Sequence, residues 1–421
     1  MNILLKSARI YDRESPYHLS SKDIFIESGI VTKISDIINT SADRIISSPT
    51  LSCSPGWVDI GALCGEPGNE QRENFDTLAR AARLGGYTAV AVFPNTTPPS
   101  QNRASIKYIY DRSHATGFRF LPIAALSKDI AGREMNELLD LNNAGAVAFS
   151  DGLSSVTLNG LMLRILLYLN RTDKTIIHFP TDIALAADGQ MHEGEVSTSL
   201  GLKGIPSMAE TLVLIRDLKL REYANGKICF FGISAKESIE QFINARHSCD
   251  KIELVIPFMN MIYDDSALLE FDVNFKVIPP LRCGEDREAL VEALKLGYID
   301  AISSNHVPLD TEDKKLEFPY AKPGASGIEV CYSVLHHHLS GLVDEEILIN
   351  CLSRGPRKIL GIESASIVEG SKADITIFDP DIEFEYTQSL SLGINNPHLG
   401  KRFQGKVLGT IVNDCIFENQ F

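Results

Sequence analysis

The sequence predicts an α/β protein: a closed (β/α)8 barrel carrying a small β-sandwich domain built from both chain ends. Three observations predict it. Helix and strand periodicity alternate through the middle of the chain, and only strand periodicity appears at the two ends. The length, 421 residues, suits a large barrel with an appendage better than one typical domain.

The elements follow in order. Residues 1–53 read as short strands, and "DIFIESGIVTKIS" alternates apolar and polar residues on both sides of Ser28-Gly29, a hairpin signal. Residues 366–421 read alike, with "ADITIFDP" followed by "GKVLGTIVNDCIFE" and a turn at Asn413-Asp414. These two ends are assigned to one composite β domain, and residues 54–365 to the barrel. In the middle, "NFDTLARAARLGG" has a helical stripe and a glycine stop before the strand-like "YTAVAVFPN". The pattern recurs in "MNELLDLNNAGAVAFSDG", "LMLRILLYLNRTDKTIIHFP", "AETLVLIRDLKLREYANGKICFFGIS" and "REALVEALKLGYIDAISSNHVP". Near-continuous apolar strands imply parallel strands covered by helices.

Composition narrows the function classes. With 44% hydrophobic residues there is material for a large core. A formal charge of −15 argues against nucleic acid or an anionic membrane as the main partner. No apolar run is long enough to span a bilayer, and "MNILLKSARIYD" lacks a signal peptide's apolar stretch and cleavage site. The eight cysteines are scattered without a CxxC pair, which reads as reduced thiols in a cytoplasmic protein.

One stretch raises the functional question. In "PGWVDIGALCGEPG" a strand-like run, Trp57-Val58-Asp59-Ile60, leads to Gly61 and Leu63, which period-2 alternation aims the same way. Chemistry in such barrels sits where strands end. In a hydrolase barrel two imidazoles would grip a metal there, whereas these positions hold a glycine and a leucine.

The strand ends "PGWVDI…EPG", "GGYTAVAVFPNTTPP", "GAVAFSDG", "IIH", "GLKGIPSMAE", "KVIPPLRCGEDREAL", "IDAISSNHVP", "KPGASGIE", "VEGSKADITIFDP" and "INNPHLGKRFQGKV" occur in this order. Together they resemble the dihydroorotases, zinc-dependent cyclic amidohydrolases of pyrimidine biosynthesis, of the type found in multifunctional or transcarbamoylase-associated forms. The resemblance covers nearly the whole chain and implies the amidohydrolase-type barrel. Hydantoinase and allantoinase relatives place a carboxylated lysine near "GAVAFSDG", and no lysine lies there. The family's metal ligands and substrate contacts fall on named positions here. The His-x-His pair falls on Gly61 and Leu63, and the substrate-gripping arginine on Gly65. The bridging carboxylate falls on Asp151 and the next histidine on His178. A further histidine falls on Gly232, and the last-strand aspartate, ligand and general base, on Asn305. The His-Ala-Pro-His run places its first histidine at His306 and its last at Leu309. Asn95 keeps a substrate contact, and another asparagine is replaced by Ile278.

Of the six inherited ligand positions 61, 63, 151, 178, 232 and 305, two keep a ligand-type residue, Asp151 and His178. A catalytic zinc uses three protein ligands plus water and lowers that water's pKa to about 7. Asn305 cannot accept a proton, and general base catalysis is worth roughly 10²–10⁴ in rate. Gly65 lacks the bidentate anion clamp that an arginine supplies.

Each survivor has two readings. His178 is a hydrogen-bonded core histidine or a metal ligand. Asp151 is a turn or cap carboxylate or a bridging ligand, Asn95 a loop-structuring residue or a ligand contact, and His306 a loop partner or a ligand. His192 reads as a surface-loop residue, and Trp57 as a packing residue at the barrel rim. His336, His337 and His338 lie in a helical pattern, where consecutive side chains diverge by about 100°.

The expectation is a dihydroorotase-family protein that has lost catalysis, holds no cofactor and serves as a structural or regulatory partner of aspartate carbamoyltransferase, as a homodimer or hetero-oligomer. The alternatives are an active zinc-dependent amidohydrolase with a rebuilt site, and a module that binds a pyrimidine intermediate.

Overall fold

A computed structural model describes residues 1–419; Gln420 and Phe421, at the tip of the C-terminal stretch, lie outside the described residues. Eight parallel strands form the central sheet: β1 (Trp57–Ala62), β2 (Tyr87–Val92), β3 (Arg119–Ala124), β4 (Ala148–Phe149), β5 (Ile176–His178), β6 (Ile228–Phe231), β7 (Ile252–Pro257) and β8 (Ala301–Ser303). Each pairs with its neighbour in chain order. The seam between β8 and β1 is closed by the Ser303 hydroxyl, which donates to the Ile60 carbonyl at 2.6 Å, and by Leu63 N–H, which donates to the His306 carbonyl at 2.8 Å.

Alternation along the strands builds two cores. Val58, Ile60, Ala89, Ala91, Leu121, Ile123, Ile177, Cys229 and Val255 pack together inside the barrel. The opposite faces pack under the surrounding helices, as Phe120, Phe149, Phe230 and Leu254 do. Local sequence sets the helix limits. Helix Phe75–Leu84 starts where Asn74 accepts the Thr77 N–H at 3.0 Å, and ends at Gly85, where a Cβ would lie 2.0 Å from the Ile328 carbonyl oxygen.

The remaining large sheet joins the two chain ends. Strand Ser52–Pro55 lies antiparallel to Asp374–Glu385 and parallel to Asn2–Ile10, with Ser21–Glu27 and Ile30–Ser35 beyond, and Arg402–Val412 and Cys415–Glu418 on the other side. Ile3, Leu5, Ile10, Ile24, Ile26, Ile375, Ile377 and Ile411 make its core. The turns at Ser28-Gly29 and Asn413-Asp414 meet: a Cβ on Gly29 would lie 2.6 Å from the Asn413 carbonyl carbon.

Trp57 corrects a sequence expectation. It is fully buried and packs on Tyr87, Tyr332 and Phe378, between the start of β1 and the terminal sheet. The residue opens its strand, so it lies at the floor of the barrel rather than at the rim where the strands end. Among the described residues no helix is long and apolar enough to cross a membrane.

Candidate functional site

The C-terminal ends of β1, β2, β5 and β6 converge, and apolar side chains fill the place where they meet. Phe93 follows β2, Phe179 follows β5 and Phe231 ends β6; all three are buried in the interior cluster, with Leu63, Leu153 and Ile278 packed against them. The Phe93 and Phe231 rings meet edge to face with centroids 5.0 Å apart.

The glycines at inherited positions belong to this packing. Gly61 has φ +93°, and a Cβ there would lie 2.7 Å from the Phe93 ring and 2.8 Å from the Phe231 ring. Gly232 has φ +81°, and a Cβ would lie 3.0 Å from the Phe179 ring. At Gly65 the obstacle is backbone: a Cβ would stand 2.0 Å from the Asn69 carbonyl oxygen. A side chain at Gly61 or Gly65 collides with its neighbours as the chain is packed, and one at Gly232 requires Phe179 to give way.

His178 points away from this centre. Alternation along β5 puts Ile177 and Phe179 in the interior and His178 against the helix layer. There its Nδ1 lies 2.7 Å from Asp217 Oδ2, a close contact not aligned as a linear hydrogen bond. The Nε2 accepts the Val156 N–H at 3.0 Å. Asp217 comes from the helix Met208–Ala224 and also receives Arg216 at 2.7 and 2.9 Å. Both ring nitrogens therefore face protein partners.

Asp151 is likewise committed to the fold. Its Oδ1 accepts the Ser127 N–H at 3.0 Å and its Oδ2 the Ser127 hydroxyl. Burial raises its pKa, against the lowering effect of those hydrogen bonds. Asn95 donates to the Asp151 carbonyl at 3.3 Å, and its Oδ1 stands 1.6 Å from where a Cβ on Gly152 would sit.

On the last strand Asn305, at φ +43°, donates to the Ile278 carbonyl at 2.9 Å. His306 is fully buried with Nε2 3.2 Å from Glu73 Oε2. Leu309 is buried, and its N–H donates to Asn395 at 2.9 Å. On β1, Asp59 accepts the Ser304 N–H at 2.8 Å and the Ser304 hydroxyl at 2.6 Å, and burial pushes its carboxyl up to about 6. His336, from the triple-histidine run, lies 2.7 Å from Glu345, while His337 and His338 face elsewhere.

A different set of donors lies on the loops beyond β5 and β7. One ligand atom each from His192, Cys283 and Asp286 lies within 4.8 Å of the other two. Contrary to the surface-loop expectation, His192 is 8% exposed. Its Nδ1 is 3.3 Å from the Arg282 guanidinium, and burial, followed by that positive charge, pushes the ring down to about 4. Cys283 precedes helix Gly284–Lys295 and donates to Asp286 Oδ2 at 3.1 Å; Asp286 Oδ1 accepts the Lys236 N–H at 2.7 Å. A sequence scan misses this set because about 90 residues separate the histidine from the other two, with no spacing motif between them.

The inherited positions as packed here do not fit a family-type metal pair. The expectation of no cofactor is nevertheless corrected. It considered inherited positions alone, whereas thiol, imidazole and carboxylate together form a donor set suited to a zinc-type ion. The relatives of this chain likewise fall in the family whose resemblance implies zinc.

Comparison with known proteins identifies those relatives. A family model described as dihydro-orotase-like matches residues 52–238. A dihydroorotase of Thermoanaerobacter sp. is 37% identical over 417 residues, covering 98% of this chain and 96% of the relative. A dihydroorotase of Syntrophus aciditrophicus is 34% identical, covering 99% of both. Among solved structures, L-hydantoinase (dihydropyrimidinase) from Arthrobacter aurescens superposes with a TM-score of 0.86 at 21% identity, covering 99% of this chain and 96% of its own. Dihydropyrimidinase from Brevibacillus agri does so at 0.83 and 18%, covering 99% and 95%. The structures share the amidohydrolase-type fold, and full-length identity above 30% settles the family: this chain belongs to the dihydroorotases, the amidohydrolase family of pyrimidine biosynthesis.

Proposed function

We propose that this dihydroorotase-family chain does not hydrolyse dihydroorotate at the inherited site, and that it acts in the cytoplasm as a structural or regulatory partner of aspartate carbamoyltransferase. One observation carries the reading: the Phe93 and Phe231 rings crowd the space a side chain at Gly61 would enter, and Phe179 packs against Gly232. Hydrolysis of a cyclic amide requires an activated water, a base and an anchor for the substrate carboxylate. The base position is Asn305, whose amide is turned to the Ile278 carbonyl, and the anchor position is Gly65, closed by backbone. The three losses fall on separate functions, so one shifted ligand does not restore the reaction.

The partnership rests on the resemblance to transcarbamoylase-associated forms. The outer face of helix Met208–Ala224 offers surface for a partner, with Met208, Leu212 and Ile215 exposed at helical spacing.

A second reading is favoured by the relatives' shared name and by the His192, Cys283 and Asp286 donors: a metal-dependent hydrolase with a rebuilt site. The deciding experiment assays purified protein, with and without added zinc, for interconversion of dihydroorotate and carbamoyl aspartate, alongside capture of aspartate carbamoyltransferase. Silence together with capture is expected. Zinc-dependent turnover that disappears in Cys283→Ser establishes the second reading instead.

A further inference from the structure

We propose that His192, Cys283 and Asp286 bind one divalent transition-metal ion of zinc type, outside every inherited ligand position. The donors come from the short strand Met191–His192 and from the first turn of helix Gly284–Lys295, so an ion would clip one loop of the barrel mouth to another.

Geometry and chemistry agree. A tetrahedral zinc with bonds of about 2.0–2.3 Å holds its ligand atoms roughly 3.3–3.8 Å apart. These three lie within 4.8 Å of one another, so side-chain adjustment of about 1 Å brings them to ligand spacing, with the fourth position of the tetrahedron left to water. Thiolate with imidazole and carboxylate favours zinc or cobalt(II) over magnesium or calcium, which take all-oxygen shells. The frame is already set. Asp286 is held by the Lys236 N–H at 2.7 Å, and Cys283 is oriented by its 3.1 Å bond to Asp286.

Nearby groups define the surroundings. Asp265 lies on the far side of Gly194: the point where a Cβ there would sit is 3.4 Å from His192 Nε2 and 3.9 Å from Asp265 Oδ2. Arg282 is the cation that opposes binding. Its Nη2 lies 3.5 Å from Glu210, its Nε donates to Ser234 at 2.9 Å, and its Nη1 donates to the Ile205 carbonyl at 3.1 Å. The long 3.3 Å contact to His192 can therefore yield when the ring turns a lone pair to an ion.

The proton balance is simple. The Cys283 S–H bond breaks and its proton passes to solvent, the sulfur and Asp286 Oδ2 bond the ion, and neutral His192 supplies a lone pair. One proton is released per ion.

The test titrates the full chain, stripped by chelator, with cobalt(II) alone and reads thiolate-to-cobalt charge-transfer absorption. One equivalent is expected, displaced by zinc. Cys283→Ser should lose the band and His192→Gln should weaken binding at least about tenfold, each with unchanged circular dichroism, while Cys415→Ser, at the exposed cysteine, changes neither. If Cys283→Ser does not fold, His192→Gln decides. A wild type without a thiolate band, a band that survives Cys283→Ser, or tight binding that survives His192→Gln overturns the site.

Discussion

The centre of the barrel mouth and its flank are built on loops leaving the same end of the same barrel, yet they carry opposite side chains. The centre holds Leu63, Phe93, Phe179, Phe231 and Ile278 around two glycines with positive φ. The flank holds His192, Cys283 and Asp286 beside a buried Arg282 and Glu210. At the centre, side chains support one another as a core does, so changes there cost folding. At the flank they are polar side chains bonded to one another and to a helix N-terminus, so changes there cost the fold less. A barrel can thus pack apolar side chains where its strands converge and present polar ones where its loops cross.

The largest expected effect breaks the centre. Phe231→Ala removes a fully buried ring that packs on Phe93, and should cost about 3–5 kcal/mol in urea unfolding. A loss below 1 kcal/mol would mean the rings are not packed as a core. Next, Gly61→His should cost about 2–4 kcal/mol, because it forces a side chain into a positive-φ position and against two rings. Adding Phe93→Ala should recover part of that loss, and a double-mutant cycle showing simple additivity would refute the collision.

The third prediction concerns pH. Burial lifts the Asp59 carboxyl from its ordinary 3.8 to about 6, so the folded protein holds this proton more tightly than the unfolded chain. Its stabilising contribution is complete below about pH 4, fades as the pH rises, and is gone above about 6. Asp59→Asn should therefore flatten the stability profile between pH 4 and 6, by something of the order of 2–3 kcal/mol. An unchanged slope would show that Asp59 is ionised throughout. The smallest effect belongs to the flank. Asp286→Asn keeps an acceptor for the Lys236 N–H and should change stability by less than about 1 kcal/mol. A loss as large as that of Phe231→Ala would erase the contrast between the two regions.

The barrel was legible because it rests on periodicity. The stripe in "NFDTLARAARLGG" and the runs "YTAVAVF" and "IIH" carry their own spacing, and the glycine stops mark the ends. The resemblance also directed attention to Gly61, Leu63, Gly232 and Asn305 at the strand ends. The aromatic packing carries the same signal: Phe93, Phe179 and Phe231 each lie within two residues of Asn95, His178 or Gly232, on the interior phase of a strand or its continuation. The direction of His178 follows from the same phase, since Ile177 and Phe179 point inward. His192 and Trp57 were harder. Burial of the first depends on Arg282, 90 residues away, and burial of the second on Phe378 from the far end of the chain. Such partners leave no local trace in sequence.

The pairing of Ser52–Pro55 with Asp374–Glu385 has a consequence during synthesis. A ribosome adding roughly 5–20 residues per second needs about 20–60 s to make the 320-odd residues between these strands. Through that interval the strands within residues 2–55 have emerged while the Ser52–Pro55 edge of their sheet lacks its partner. An open edge of this kind pairs readily with another nascent chain. A chaperone that covers residues 1–55 until the C-terminal strands arrive should therefore lower aggregation during synthesis.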